Sequence, residues 1–171
     1  MNETLNVLKA RRSIRKYKPE QVREEDLNAI LEAGTWAASG KGLQSPVMVV
    51  VQDRETISYM SKLNAQIMGT SSDPFYGAPT VVVVLADGEN YNWMADGSLV
   101  MGNLMNAAWS IGVGSCWINR AKELFDLPEG KALLRKWGLP EHLRGVGNCI
   151  LGYADEEPAA KPRAEGRIIK V

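Results

Sequence analysis

The sequence predicts a domain of the α/β or α+β class, in which helices alternate with a few buried strands. Two segments carry this prediction. Thr80–Ala86 contains four valines and a leucine in succession, as expected for a strand that is covered on both faces. Residues 95–111 place apolar side chains most of the way around a helix, so this long helix is predicted to be central and buried. Periodicity alone leaves open whether the domain has two or three layers.

The composition indicates one globular domain spanning residues 1–171, since 45% of the residues are hydrophobic and 23% are charged. Lysines and arginines number 20, and so do aspartates and glutamates. A general binder of nucleic acid or of membrane surfaces needs a broad excess of positive charge, so neither partner is expected. No apolar run approaches the roughly 20 residues of a membrane span.

The first residues, Met1–Leu5, lack the apolar region of a signal peptide. Only two cysteines are present, Cys116 and Cys149, and they have neither metal-ligand spacing nor the density of a disulfide framework. A single histidine, His142, excludes a site built from several histidines, and no metal is predicted. A reducing compartment, most simply the cytoplasm, is expected.

Two helices are predicted at the start of the chain. The first is Glu3–Ala10, with Leu5 and Leu8 facing inward. The second is Arg23–Ala33, with acidic residues early and Gly34 just past its end.

The remaining elements are predicted from residues that interrupt regular structure and from residues that cap helices. Small residues make Ser39–Pro46 a loop, and Asp53 is placed to cap a helix that runs to Met68. Gly147 is expected to interrupt the last strand. The other predicted elements are the strands Val47–Gln52, Ser115–Ile118 and Val146–Leu151, a segment Glu123–Leu127 and a helix Lys131–Trp137.

The segment Arg11–Lys18 is the most distinctive chemical feature, because five of its eight residues are cationic and Ser13 lies among them. Arginine presents a planar fork of donors that fits phosphate oxygens, and serine adds a short neutral donor. A phosphate clamp is therefore one interpretation. A solvated basic loop is the alternative that the stretch alone leaves open.

The usual catalytic patterns are absent. No Gly-x-Gly-x-x-Gly follows a strand, and no phosphate-binding Gly-x-x-x-x-Gly-Lys-Ser/Thr occurs. The context of His142 favours a surface or capping residue, and the acidic pairs Glu24-Glu25 and Glu156-Glu157 are predicted to be solvated. Such a chain is expected to rely on a cofactor for its chemistry and to supply binding and orientation.

Five segments in order give the chain a resemblance to the nitroreductase family of FMN flavoproteins. The first is Arg11-Arg12-Ser13-Ile14-Arg15, similar to the Arg-Arg-Ser-x-Arg signature of that family. The others are Ala37–Gly40 with Gln44-Ser45-Pro46, Phe75–Pro79 before the valine-rich strand, Gly112–Ile118, and Gly152-Tyr153 leading to Lys161-Pro162-Arg163. Relatives carry an asparagine where this chain has Gly42 or Leu43, and Pro-Trp where it has Pro46-Val47, near the mouth of the active site.

The resemblance implies an α+β fold, a mixed β-sheet flanked by helices with a long central apolar helix. It also implies a homodimer with FMN at the subunit interface. The implied activity is transfer of a hydride from NADH or NADPH through the flavin to nitroaromatics, quinones or similar acceptors. An FMN-binding carrier, sensor or scaffold without turnover is the alternative.

The resemblance also implies roles for individual residues, none of them a catalytic acid or base. Arg11, Ser13 and Arg15 would bind the phosphate or ribityl chain, with Arg12 acting partly through its backbone. Lys161 and Arg163 would close on the phosphate from the C-terminal side. The other implied cofactor contacts are Gln44 and Asn64 at the ring or ribityl chain, Ala37, Ala38 and Ser39 from the partner subunit, and Trp117, Ile118 and Asn119 at the ring edge.

Overall fold

The structure, a computed structural model, describes residues 2–171; Met1, the first residue of the predicted domain, lies outside the described residues. Helices alternate with strands along this range. The helices are α1 Glu3–Ala10, α2 Glu24–Thr35, α3 Arg54–Met68, α4 Trp93–Ser110, α5 Ala121–Asp126 and α6 Pro128–Lys136. The strands are β1 Val47–Val51, β2 Thr80–Asp87, β3 Gly114–Ile118 and β4 Leu143–Gly152, and a short 3₁₀ turn covers Gly40–Gly42.

The four strands form one sheet in the order β1-β2-β4-β3, and all three pairings are antiparallel. This confirms the α+β class, because parallel α/β sheets require crossovers between parallel neighbours. A mixed sheet also contains parallel pairing. Within residues 2–171, the one parallel pairing is an isolated bridge between Ser13 and Ser115. The β3 strand is therefore an edge strand, and its outer side meets the basic segment.

The β2 strand lies at the centre of the molecule, and the residues Val81–Ala86 are all 0% exposed. Val81, Val83 and Leu85 belong to the core on one face of the sheet, together with side chains from α3, α5 and α6. Val82, Val84 and Ala86 belong to the core on the other face, which α2 and α4 cover. The prediction of a strand covered on both faces is confirmed, and the fold has three layers.

The β4 strand is longer than predicted, and Gly147 does not interrupt it. A Cβ atom at this position would lie 2.7 Å from Nε1 of Trp117 and 3.0 Å from Cε of Met101. Gly147 therefore provides the space in which the indole of β3 packs across β4. A register shift between Val84 and Leu85 of β2 absorbs one extra residue of β4 next to this glycine.

The ends of α3 are as predicted. The Asp53 side chain accepts a hydrogen bond from the Thr56 backbone N–H, and Gly69 ends the helix in the left-handed conformation. The end of α2 differs from the prediction, because Gly34 is buried inside the helix. A Cβ at Gly34 would lie 2.7 Å from Sδ of Met48, so this glycine permits close packing instead of terminating the helix.

Two helices leave apolar side chains in solvent. Leu5 and Leu8 of α1 are 45% and 53% exposed, so the prediction that they face inward is wrong for a single chain. The central helix α4 lies on the sheet as predicted, with Met101 and Leu104 fully buried, yet its far side exposes Leu99. A helix with apolar residues on every face is fully buried only if other elements pack on all its sides. A single chain covers only one side of α4.

Candidate functional site

The basic segment begins where α1 ends and crosses the outer edge of β3. The backbone N–H of Arg11 donates to the Val7 carbonyl, which ends the helix, and that of Ile14 donates to the Ser115 carbonyl at 2.9 Å. Ile14 is 1% exposed and fixes the segment in the core. Further on, Tyr17 pairs with Ala154 just beyond β4. The segment is thus held at both ends, which fixes where its cationic side chains emerge.

Ser13 pairs with Ser115 of β3, the residue before Cys116, and Arg11 and Arg15 flank Ser13 two residues away on either side. Burial raises the pKa of the Cys116 thiol, whereas the charges of Arg15 and Arg11 and a hydrogen bond with Ser13 lower it. Burial also raises the pKa of Cys149 to about 12. The two cysteines belong to the cores on opposite faces of the sheet, so they are structural thiols with no disulfide between them.

The guanidinium groups of this cluster form no ion pair. Nη1 of Arg11 is inaccessible to solvent and has no hydrogen-bond partner, although a buried donor of this kind is normally satisfied. The Arg11 and Arg15 guanidinium groups have no carboxylate partner among residues 2–171. Two arginines without an ion pair beside a serine hydroxyl suit a dianionic phosphate. The residues present therefore fit the phosphate end of a cofactor.

Arg12 differs from its two neighbours. Its Nη1 donates to the carbonyl oxygens of Lys9 and Arg11, each at 2.8 Å, so the side chain folds back over the C-terminus of α1. The side chain is committed to the protein, and only the backbone of Arg12 is free to meet a ligand. This agrees with the partial, backbone role that the resemblance implies.

The outer edge of β3 continues from this cluster towards Asn119. The Ser115 carbonyl points away from β4, because it accepts the Ile14 N–H. Backbone groups of every second residue in a strand point to the same side, so the N–H and carbonyl of Trp117 also point away from β4. Ile118 is 7% exposed and faces the core, and Asn119 is exposed directly after the strand. Asn119 lies four residue steps beyond Ser115, a distance of about 13 Å along an extended strand. An elongated ligand can therefore lie along this edge with its anionic end at the arginines.

Glu156 is exposed, as predicted, and its carboxylate also forms a contact within the protein. Its Oε1 accepts the backbone N–H of Arg15 at 2.5 Å, and the neighbouring Asp155 forms a salt bridge with Lys16. The contact joins residues 141 positions apart, so no local pattern could reveal it. Glu156 anchors the start of the C-terminal tail to the cationic cluster.

The loop that contains Ala37, Ala38, Ser39 and Gln44 follows α2, is bonded to the start of α4 through Gly40 and Asp96, and is partly or fully exposed. None of these residues forms a hydrogen bond with the basic segment within residues 2–171. The structure therefore groups the predicted site residues into two separate sets. Their meeting at one site requires a second subunit and stays a prediction.

The C-terminal tail carries Lys161 and Arg163 away from the body of the chain. Both residues are exposed, and the Arg163 guanidinium donates to the Lys161 carbonyl at 2.8 Å and 3.2 Å. Within one chain the structure does not bring them to Arg11, so the two-sided clamp also stays a prediction.

Asn64 lies on the buried face of α3 and is 0% exposed. Its Oδ1 has no hydrogen-bond partner, while its Nδ2 lies 3.8 Å from Sδ of Met68. The side chain does not reach the surface, and its implied contact with a cofactor stays a prediction.

Within residues 2–171, no three or more histidine, cysteine, aspartate or glutamate side chains are grouped so that they could hold a metal ion. None of the helices in this range is both long and apolar enough to cross a membrane.

The sequence profile of the Nitroreductase family matches residues 8–74 and 65–153, which is most of the chain. This chain belongs to the nitroreductase family. A crystal structure of a nitroreductase with bound FMN from Bacteroides fragilis superimposes with a TM-score of 0.90 at 31% identity and covers 100% of both chains.

Two nitroreductase-family relatives extend the comparison. A protein of Archaeoglobus fulgidus with the provisional name NADH dehydrogenase/NAD(P)H nitroreductase is 32% identical over 92% of this chain and 88% of its own length. The NADPH-flavin oxidoreductase of Vibrio harveyi is 28% identical over 99% of this chain and 73% of its own length.

Proposed function

We propose that this single-domain chain is an FMN-dependent oxidoreductase that passes a hydride from NADH or NADPH through the flavin to a nitroaromatic, quinone or similar acceptor. The observation that carries the proposal is the buried, unpartnered Nη1 of Arg11 beside Ser13 and Arg15 at the open edge of β3. Relatives named as NAD(P)H nitroreductase and NADPH-flavin oxidoreductase, and the FMN-bound structure, support the cofactor and the reaction class.

The phosphate of FMN would be held by the guanidinium groups of Arg11 and Arg15 and the hydroxyl of Ser13. Hydrogen bonds to charged groups contribute about 1.5–3 kcal/mol each, so three of them retain the cofactor without a covalent link. Burial around Arg11 strengthens its contribution, because the local dielectric is lower than that of water. Arg12 contributes its backbone, since its side chain is occupied.

The ring of the flavin would lie further along the β3 edge. The outward backbone groups of Trp117 and the exposed Asn119 can pair with its polar edge, while Ile118 keeps the strand anchored in the core. When bound, FMN accepts a hydride from the nicotinamide and delivers it to the acceptor. No side chain of the cluster needs to act as an acid or base, so the protein contributes by positioning the reactants.

We further propose a homodimer in which each subunit completes the site of the other. Leu5 and Leu8 of α1 are exposed, and a groove of about 640 Å³ separates that helix from α4. Ile168 and Ile169 in the tail are more than 80% exposed in one chain. Exposed apolar surface of this extent marks an interaction surface, and an obligate dimer would bury it. The partner's loop and tail would then supply Ala37, Ala38, Ser39, Gln44, Lys161 and Arg163.

The cytoplasm is the proposed compartment, because a reducing environment suits a chain with two unpaired thiols.

Steady-state turnover of the purified, FMN-loaded protein tests this function. The oxidoreductase is expected to consume NADH or NADPH at a rate that rises with the concentration of a quinone or nitroaromatic acceptor. Protein with bound FMN that consumes neither nicotinamide, with any acceptor of a small panel, would instead indicate the carrier, sensor or scaffold. Protein that neither contains nor takes up FMN would exclude both functions.

A further inference from the structure

The loop after α2 is held in a conformation that its residues do not favour. Lys41 has φ 54° and Gln44 has φ 50°, with Gly42 at φ 65° between them. Left-handed backbone is unfavourable for residues with a Cβ, and it persists only where surrounding contacts fix it. Two non-glycine residues in this region within four positions indicate that the loop is held by contacts outside its own backbone.

Part of the restraint comes from Ser39 at the start of the loop. Its hydroxyl accepts the backbone N–H of Gln44 at 3.0 Å, and its carbonyl accepts that of Gly42 at 3.1 Å. These bonds close the loop on itself, but they do not fix its position on the protein.

Asp96, in the first turn of α4, supplies that fixed point. Its carboxylate is almost completely buried, at 3% exposure of the residue. Oδ1 accepts the backbone N–H of Gly40 at 2.8 Å, and Oδ2 lies 3.3 Å from Nδ2 of Asn90, which also lies 3.3 Å from the Ser45 hydroxyl. Hydrogen bonds to a charged acceptor are stronger than neutral ones, and the N-terminus of a helix favours a carboxylate. The start of the loop is therefore bonded directly to a buried acid, and the end of the loop is linked to the same acid through Asn90.

The loop also interlocks with the turn before α4. A Cβ at Gly40 would lie 2.3 Å from Nδ2 of Asn92, so a larger residue here would displace the Asn92 side chain. The Asp96 carboxylate and the Gly40 backbone meet at this point of contact.

We propose that Asp96 is a positioning residue of the flavin site, which acts by holding the loop that carries Ser39 and Gln44. The inference rests on the proposed function, since that loop is proposed to reach the flavin bound by the partner subunit. Asp96 itself touches no cofactor. Its loss lets the strained loop relax and moves the ring-side contacts, while the phosphate cluster at Arg11 keeps its geometry.

Trypsin cleavage after Lys41, which is exposed in this loop, measures the restraint in the purified full-length protein. An Asp96→Ala variant is expected to be cleaved there about tenfold faster, because a charge-assisted bond that opposes local opening is lost. Asp53→Ala is the matched control: it removes the N-cap of α3, where Oδ2 accepts from Thr56 at 2.8 Å, and should leave cleavage after Lys41 unchanged. Equal cleavage in Asp96→Ala and wild type would overturn the proposal.

Kinetics separate a positioning role from simple loss of stability. Asp96→Ala is expected to raise KM for the acceptor about fivefold or more, while the Kd for FMN rises by less, because the cluster at Arg11 keeps its geometry. Asp96→Asn retains an oxygen that can accept the Gly40 N–H, so its cleavage rate and its KM should lie between those of Asp96→Ala and wild type. If Asp96→Ala does not fold, the comparison of Asp96→Asn with wild type is used instead. Failure of the wild type to bind FMN would refute the proposed function, and the cleavage comparison would still decide the role of Asp96.

Discussion

Arg11 illustrates how one atom links sequence to function. The sequence offers three arginines in the motif, and the structure distinguishes them: Arg12 caps α1, the side chain of Arg15 is exposed, and Arg11 has a buried nitrogen without a partner. A buried unsatisfied donor costs free energy that a bound anion would recover. Arg11 is therefore expected to contribute most to phosphate binding.

Replacing Arg11 by alanine is expected to raise the Kd for FMN roughly 10- to 100-fold, as the loss of about 1.5–3 kcal/mol implies. Circular dichroism and thermal unfolding should stay close to wild type, because the guanidinium bonds to no other described side chain. Titration of apoprotein with FMN, followed by quenching of flavin fluorescence, measures the change. Lys18→Ala, an exposed cation of the same segment, is the control. An unchanged Kd in Arg11→Ala would argue against the phosphate cluster.

At the scale of elements, α5 is tied to β4 by Arg144. Its guanidinium forms a bidentate pair with Asp126, with Nε 3.0 Å from Oδ1, and stacks 4.9 Å from the centre of the Trp93 ring at the start of α4. The hydrogen bond from Arg144 lowers the pKa of Asp126, and burial opposes this change. The pair thus connects elements from both faces of the sheet.

The lowered pKa of Asp126 gives a pH dependence with a definite sign. The ionised carboxylate stabilises the fold above its unfolded pKa of about 3.9, and this contribution is lost as the pH falls through the lower folded pKa. Asp126→Asn is expected to reduce the free energy of unfolding at neutral pH by less than about 1 kcal/mol, since the pair is partly exposed and screened. Urea unfolding at neutral pH and near pH 3 should show this difference shrinking in acid. Glu157→Gln, an exposed acid in the tail, should give no such pattern.

Elements with a local cause could be predicted from the sequence. The valine run specifies β2, and Asp53 with Gly69 specifies both ends of α3. From the sequence, Gly34 and Gly147 are predicted to end a helix and to interrupt a strand. The sequence does not show that Met48 and Trp117 lie against these glycines. Two hydrogen bonds could not be predicted for the same reason, because each joins segments that are distant in the sequence. They are the bond between Glu156 and Arg15 and the bond between Asp96 and Gly40.

At the scale of the whole molecule, a single chain leaves apolar surfaces of α1 and α4 exposed. The sequence predicts apolar faces on α1 and α4, but it does not show that Leu5 and Leu8 of α1 are exposed in a single chain. The predicted site residues are divided in the same way: Arg11, Ser13 and Arg15 belong to one segment, whereas the loop after α2, Lys161 and Arg163 form no hydrogen bond or ion pair with that segment within residues 2–171. Both observations are explained if the functional unit is a dimer.

Deletion of residues 157–171 tests this organisation. The tail makes no hydrogen bond with the body among the described residues beyond Glu156, so the shortened chain is expected to fold. It should shift towards monomer in sedimentation at micromolar concentration and lose FMN affinity. A Lys161→Ala, Arg163→Ala double variant is the matched control, expected to weaken FMN binding while it remains dimeric. A shortened chain that keeps both the dimer and the wild-type Kd would contradict the proposed exchange of tails.

Anaerobic titration of the purified protein with NADPH, and separately with NADH, tests the central claim most directly, because it follows the flavin itself in its site. The account predicts a yellow protein whose visible absorption bleaches on addition of at least one nicotinamide and returns when a quinone or nitroaromatic is added. A protein whose bound flavin neither nicotinamide bleaches, or one that remains colourless after incubation with FMN, would contradict it.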